Sequence, residues 1–206
     1  MTKEGLLFPL PFIILAGVFY FLFRQHFSIT LIIIACILFY LGLAIMLFFR
    51  DPERKVPKGD NLIISPADGH IIRIEKTDCG PEISIFLSIL NVHVNRSPVN
   101  GIIRSAKFFP GKFHIASKNE AMSENQRNEI EIETANGIVR MNQISGSIAR
   151  RTILWKKSGD SIIAGDRIGL IRFGSRVDLF LPRGSEINIQ LKQKVIAGET
   201  IIGKLP

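Results

Sequence analysis

Two uncharged stretches, residues 5–23 and 29–49, open this chain, and they restrict its possible folds more than any other feature. As α-helices, 19 and 21 residues each reach about 30 Å, the thickness of a bilayer's hydrocarbon core. Only RQHFS (24–28) separates them, so the spacing predicts a tight helical hairpin. Pro9 and Pro11 fall in the first turns of the first helix, where a missing N–H costs little. A cleaved signal peptide fits less well: its basic region would be Lys3 alone, no small-residue cleavage site follows, and a second long apolar run comes at once. Apolar residues number 36 of the first 50 but only 61 of the other 156. The chain therefore divides into a membrane-anchoring hairpin, 1–50, and a domain of ordinary globular composition, 51–206.

Charge sets the expected orientation. RDPERKVPK follows the second apolar run with Arg50, Arg54, Lys55 and Lys58, whereas the hairpin tip offers only Arg24. The excess of cations after the second helix predicts that both ends of the hairpin, and the domain with them, lie on the cytoplasmic side of the cell (inner) membrane. Residues 51–206 carry a net +6, which suits an anionic lipid surface. Nucleic acid is not expected as a partner, because no RNP, helix-turn-helix or aromatic-basic pattern accompanies the charge. Two cysteines, Cys36 within an apolar run and Cys79 in a turn, do not make a disulfide framework. CxxC and HExxH are absent and no metal site is predicted.

From Asn61 onward the hydrophobic period is two, or the run is short and wholly apolar: HIIRIEK, ISIFLSI, GIIRSAKFF, EIEIETA, GIVRMNQ, RIGLIRF and RVDLFLP. Turn signals such as ADG, CGP, ANG, AGD and PRG bound these runs. Many short strands at even spacing predict a mainly β domain, an antiparallel sandwich or barrel. Only 117–127 (SKNEAMSENQR) reads as helix or polar loop. Neither GxGxxG nor GxxxxGK[ST] occurs, which argues against nucleotide-binding α/β folds, and no GxSxG elbow marks an α/β-hydrolase.

The residues able to do chemistry are few. Gly174–Ser175 lies between two strand-like runs, where Gly-Ser is a good two-residue hairpin turn. The same pair is also open to attack on itself. Glycine leaves its carbonyl uncovered, and serine supplies a nucleophile that needs a neighbouring base. Candidate bases are His93 in NVHVNRSP, His70 beside Asp68 in SPADGH, His114, and His26 at the hairpin tip. Asp68 is equally an ordinary turn former. Asp68, His93 and Ser175 make up an orienter, base and nucleophile set, but spacing alone does not bring them together.

The segments SPADG (65–69), HVNRSP (93–98), FFPGKF (108–113), ENQRNEIEIET (124–134), IARR (148–151) and GDRIGLIRFGSRVDLFLP (165–182) together resemble phosphatidylserine decarboxylase, in its short prokaryotic form. The likeness runs from about residue 50 to the end, and the apolar N-terminal hairpin is also similar to that of the short form. FGSRVD stands where other branches carry an LGST-type sequence, and Gln126 departs from the glutamate expected there. The resemblance implies an enzyme that cuts itself between Gly174 and Ser175. Residues 1–174 (β chain) and 175–206 (α chain) would remain a heterodimer, because strands at 176–182, 186–191 and 199–203 would share one sheet system. It also implies a covalent pyruvoyl cofactor made from Ser175, which forms a Schiff base with phosphatidylserine and gives phosphatidylethanolamine and CO₂. His93 would act as base for Ser175, and Asp68 would orient His93.

Lys107, Lys112, Phe108, Phe109 and Phe113 would suit a membrane-facing loop, with alternate phenylalanines facing the core as the other reading. Arg150 and Arg151 are candidates to grip phosphate or carboxylate. Patterning by itself leaves two other functions open. One is a membrane-anchored β-domain that binds lipid without catalysis. The other is a serine hydrolase that uses Asp68, His93 and Ser175 uncut.

Overall fold

The computed structural model describes residues 2–114, 124–146, 151–172 and 175–206. The chain forms two compact units, Met1–Pro52 and Glu53–Pro206. In the first, α1 (Lys3–Leu7) precedes α2 (Leu10–His26) and α3 (Ile29–Phe48). Pro9 serves as the N-cap of α2 and Pro11 sits in its first turn, so the first apolar run is helical in two pieces rather than one. The reversal takes two residues. Phe27 is left-handed (φ 48°) and its N–H closes on the Phe23 carbonyl at 2.8 Å, while Ser28 is extended. Ala16, Ala35 and Gly42 are the small residues buried where α2 meets α3. A Cβ on Gly42 would come within 3.1 Å of Ile13 Cγ1, the close approach that small residues allow between apolar helices. Two helical spans, Gly5–His26 and Ile29–Phe48, are long and apolar enough to cross a membrane.

The named elements of the second unit are all strands: β1 (Leu62–Ile64), β2 (Gly69–Thr77), β3 (Gly80–Leu87), β4 (Val94–Arg96), β5 (Gly101–Phe109), β6 (Arg127–Thr134) and β7 (Gly137–Ile144). The remaining strands are β8 (Thr152–Leu154), β9 (Ser161–Ile162), β10 (Arg167–Ile171), β11 (Ser175–Phe180), β12 (Glu186–Ile187), β13 (Lys194–Val195) and β14 (Ile201–Lys204). An eight-stranded antiparallel sheet runs β13-β2-β3-β11-β7-β6-β5-β9, beside two three-stranded sheets, β1-β14-β12 and β4-β10-β8. The alternation read from the sequence explains the burial. Ile130 and Ile132 of β6, Val139 and Met141 of β7, and Val177 and Leu179 of β11 all face one core. Part of 117–127 lies outside the described residues, and Arg127 itself opens β6.

Two expectations change. β10 pairs with β4 and β8, and β11 pairs with β3 and β7, so the strands flanking Gly174–Ser175 belong to different sheets and do not form a hairpin. The pattern misleads because a two-residue gap between strand-like runs looks the same whether the chain turns back or crosses over. The C-terminal strands are also divided: β11 and β13 join the large sheet, while β12 and β14 join β1.

β11 is central and unusual. Its second face buries an ion pair: Arg176 and Asp178 are each about 1% exposed, with Arg176 Nε donating to Asp178 Oδ1 at 2.5 Å and Arg176 Nη2 to Ser84 Oγ at 2.7 Å. Burial pushes the Asp178 carboxyl above its ordinary value, against the lowering pull of Arg176 and of hydrogen bonds from Arg176 and Ser84.

Candidate active site

One register row crosses the large sheet from Phe109 of β5 through Arg127, Ile144, Arg176 and Phe86 to His70 of β2. Just beyond that row, at one end of the sheet, lie Asp68, Leu87, Ser145, Gln126 and Ser175. Ser175 pairs with Leu87, and it shares the core-facing parity of Val177 and Leu179. Its side chain is fully buried, and Oγ has no hydrogen-bond partner among the described residues. Gly174 lies outside the described residues.

His93 comes to the same end through β10. The Ile171 N–H donates to the His93 carbonyl (3.2 Å), four residues before Ser175. The imidazole is buried, and its Nδ1 lies 2.9 Å from the Asn91 carbonyl oxygen. A carbonyl can only accept, so this contact puts the proton on Nδ1 and leaves the Nε2 lone pair as the basic site of the neutral ring. Asn91 is itself fixed, since its Oδ1 accepts from Ser88 N–H (2.9 Å) and Ser88 Oγ (2.7 Å).

Asp68 sits in the turn before β2. Both carboxylate oxygens accept from Arg54 Nη2 at 3.0 Å, and Oδ1 also accepts from the Ala197 N–H at 2.8 Å. These bonds tie the segment entering the domain, the 65–69 turn and the loop before β14 into one knot. Pro66 in that turn accepts the Arg96 N–H of β4 at 2.9 Å, so Asp68 is connected to the strand that follows His93 through backbone. The Nδ1 acceptor provided to His93 is Asn91, and the hydrogen bonds of Asp68 go to Arg54 and Ala197.

A buried amide chain that the sequence reading did not single out crosses beneath these residues. Asn128 Nδ2 donates to Gln143 Oε1 (3.0 Å), and Gln143 Nε2 donates to Asn95 Oδ1 (2.8 Å). Asn95 Nδ2 and, on β8, Thr152 Oγ1 are buried without a hydrogen-bond partner among the described residues. The signal was present in the sequence as parity: Asn128 is in phase with Ile130 and Ile132, and Gln143 with Met141 and Val139. Polar residues at core positions are expensive unless they are satisfied or used.

The rim is polar and cationic. Arg172 N–H donates to the Arg151 carbonyl at 3.1 Å, which brings these two arginines together, while Arg150 lies outside the described residues. Glu124 accepts from Lys112 Nζ and His114 Nε2, both at 3.0 Å, and these two bonds hold its carboxyl below the usual carboxylate range. Asn125 then joins His114 to the Ser145 carbonyl, one strand from Ser175. Phe109 lies under the Arg127 guanidinium (4.7 Å), whereas Phe108 and Phe113 are exposed. His70 and His26 are exposed. A groove of about 490 Å³ opens near Thr134, Asn136 and Leu205 at the other end of β6 and β7 and contains none of these groups.

Comparison with known proteins places the chain in a family. The family model described as phosphatidylserine decarboxylase matches residues 41–203. The phosphatidylserine decarboxylase proenzyme of Novosphingobium aromaticivorans is 42% identical, over 84% of this chain and 76% of its own length. That of Ruegeria pomeroyi is also 42% identical (86% and 88% covered), and that of Polynucleobacter asymbioticus is 43% identical (79% and 78%). With a buried, unsatisfied serine at the head of a central strand, an oriented histidine at the same sheet end, and these relatives across most of its length, the chain belongs to the phosphatidylserine decarboxylase family.

Proposed function

We propose that the chain cuts itself between Gly174 and Ser175 and then removes the carboxylate of phosphatidylserine, giving phosphatidylethanolamine and CO₂. The observation that carries the reading is the Ser175 hydroxyl, buried with no hydrogen-bond partner among the described residues in a member of a family whose relatives are called proenzymes. A serine kept only for packing would have its oxygen satisfied.

His93 Nε2 takes the Ser175 Oγ proton as Oγ adds to the Gly174 carbonyl carbon, and the Gly174–Ser175 C–N bond breaks to leave an ester. Loss of the Ser175 Cα proton then expels the 1–174 carboxylate. Residue 175 is left as dehydroalanine, which takes up one water and releases one ammonia to become pyruvoyl. Asp68 acts as a positioning residue. It fixes the 65–69 turn against Arg54 and Ala197, and that turn holds β4 and thereby His93. The orphaned Oγ at the chain's new N-terminus fits such a group.

The pyruvoyl carbonyl supplies an electron sink for the pair released when the substrate carboxylate leaves as CO₂. Arg151 and Arg172, joined through the Arg172 N–H and the Arg151 carbonyl, would supply cations for the headgroup anions, and His93 would return a proton to the substrate Cα. The N-terminal hairpin crosses the cell membrane twice with the β unit on the cytoplasmic side. Cations at 50, 54, 55 and 58 and the two apolar helices support that placement.

The test is the intact mass of the denatured protein. Two pieces, 1–174 and 175–206, are expected, the smaller one lighter by one ammonia than a serine-initiated peptide. A single chain of 23.1 kDa under conditions that allow maturation would leave an uncut serine hydrolase or a lipid-binding domain instead.

A further inference from the structure

The Ser88–Asn91 turn joins β3 to the segment carrying His93, and at its tip Ile89 is 50% and Leu90 82% exposed. Leu90 is the most exposed large apolar side chain among the described residues. The turn is tight: Asn91 N–H donates to the Ser88 carbonyl at 3.0 Å, and the Asn91 side chain takes two further bonds from Ser88. Two adjacent aliphatic side chains are thus held out rigidly in water at the sheet end that contains Ser175. On the other flank, the end of β5 carries Phe108, 57% exposed, next to its terminal Phe109, and the chain beyond carries Phe113, 39% exposed. In strand order β3-β11-β7-β6-β5, the two flanks are about 19 Å apart at the usual strand spacing, with Ser175 between them.

The charges at this end fit one occupant. Lys107 and Arg151 are exposed there, and the nearby carboxylate of Glu124 is matched by Lys112 and His114. Apolar tips set among cations match a leaflet surface, where aliphatic and aromatic groups enter the acyl boundary and cations meet phosphates. We propose that the Ile89–Leu90 tip and the Phe108/Phe113 edge dock the Ser175 end of the sheet onto an anionic phospholipid bilayer, with the tip inserted below the headgroups. Asn91 closes that turn and its carbonyl also accepts from His93 Nδ1, so the inserted tip, Ile89–Leu90, is joined to the base three to four residues on through the residue that closes the turn. The inference rests on the decarboxylase reading only in naming what the docked site would then meet.

The experiment uses the full chain in vesicles containing phosphatidylserine. Leu90→Trp in a Trp155→Phe background is expected to show blue-shifted emission that is quenched by lipids brominated on the acyl chains. Water-exposed emission without quenching overturns the proposal. A blue shift that depends on protein concentration and ignores brominated lipid also overturns it, because the tip would then dock on a second copy. Separately, Leu90→Ser is expected to self-cleave and to lose about tenfold in the rate on vesicle substrate relative to the rate on dispersed short-chain phosphatidylserine. An equal loss on both substrates overturns the docking role. If the wild type turns over neither substrate, the decarboxylase reading fails and the quenching result alone decides the docking.

Discussion

Ser175, His93 and Asp68 illustrate what single residues reveal. Burying a hydroxyl without a partner costs about 1–3 kcal/mol, and Ser175 carries that cost at the head of a strand whose next two core-facing residues are apolar. Ser175→Ala should therefore leave the fold intact or slightly more stable while abolishing the cut, checked by thermal melting together with intact mass. An uncut Ser175→Ala protein that still decarboxylates would sink the mechanism. His93→Ala should also stay uncut, because no other described side chain at that sheet end has a basic nitrogen oriented by a carbonyl. Asp68→Asn keeps the size but loses the charge that pairs with Arg54, so it should slow the cut rather than stop it. A time course of fragment appearance separates the two. Gly169 is a different case, since a Cβ there would lie 2.2 Å from the Ile153 carbonyl oxygen and 2.9 Å from Gln143 Nε2. Gly169→Ala should cost about 1–3 kcal/mol through overpacking, seen as a lower denaturation midpoint, and should disturb the amide chain beneath the site.

At the scale of elements, β11 decides where Ser175 sits. A one-residue slip between β3 and β7 would turn Arg176 and Asp178 into the apolar core and Val177 and Leu179 out of it. The buried ion pair is weak evidence for stability, but it enforces register strongly. Its pH dependence has a definite sign. The native Asp178 carboxyl titrates above its ordinary value of 3.8, so between that value and the raised one the native state binds more protons than the unfolded chain, and stability falls as pH rises. Asp178→Asn, which resembles the protonated form, should gain stability relative to wild type as pH rises through that window. Urea midpoints at several pH values test this, and a difference independent of pH would refute it. The same element marks the limit of legibility. The short apolar runs in RIGLIRF and RVDLFLP located both strands, and the resemblance picked out Ser175, but the local pattern equally suited a Gly-Ser hairpin. Strand partners are set by contacts with β4, β8, β3 and β7 that are distant in sequence, so no local pattern could assign β10 and β11 to different sheets. The amide chain was legible only as polar residues at core parity, and its bonding partners were not.

For the whole molecule, the question raised by a cut at Ser175 is what keeps residues 175–206 in place. The segment is interleaved with the rest rather than added at an edge. β11 lies between β3 and β7 in the middle of the large sheet, β13 adds to β2, and β14 lies between β1 and β12. Its side chains supply Val177, Leu179, Leu181, Ile189, Val195, Ile202 and Leu205 to the common core. The loop before β14 binds Asp68 through the Ala197 N–H, and Leu205 N–H donates to the Asn61 carbonyl at 2.8 Å. Removing such a segment would expose the faces of two sheets, so separation should require unfolding of the domain itself. The cut protein should therefore elute as a single species in mild detergent and release the 175–206 piece only across the same urea transition in which the β signal is lost. Release at lower urea than that transition would mean that the ladders on either side of β11 do not hold the two pieces together.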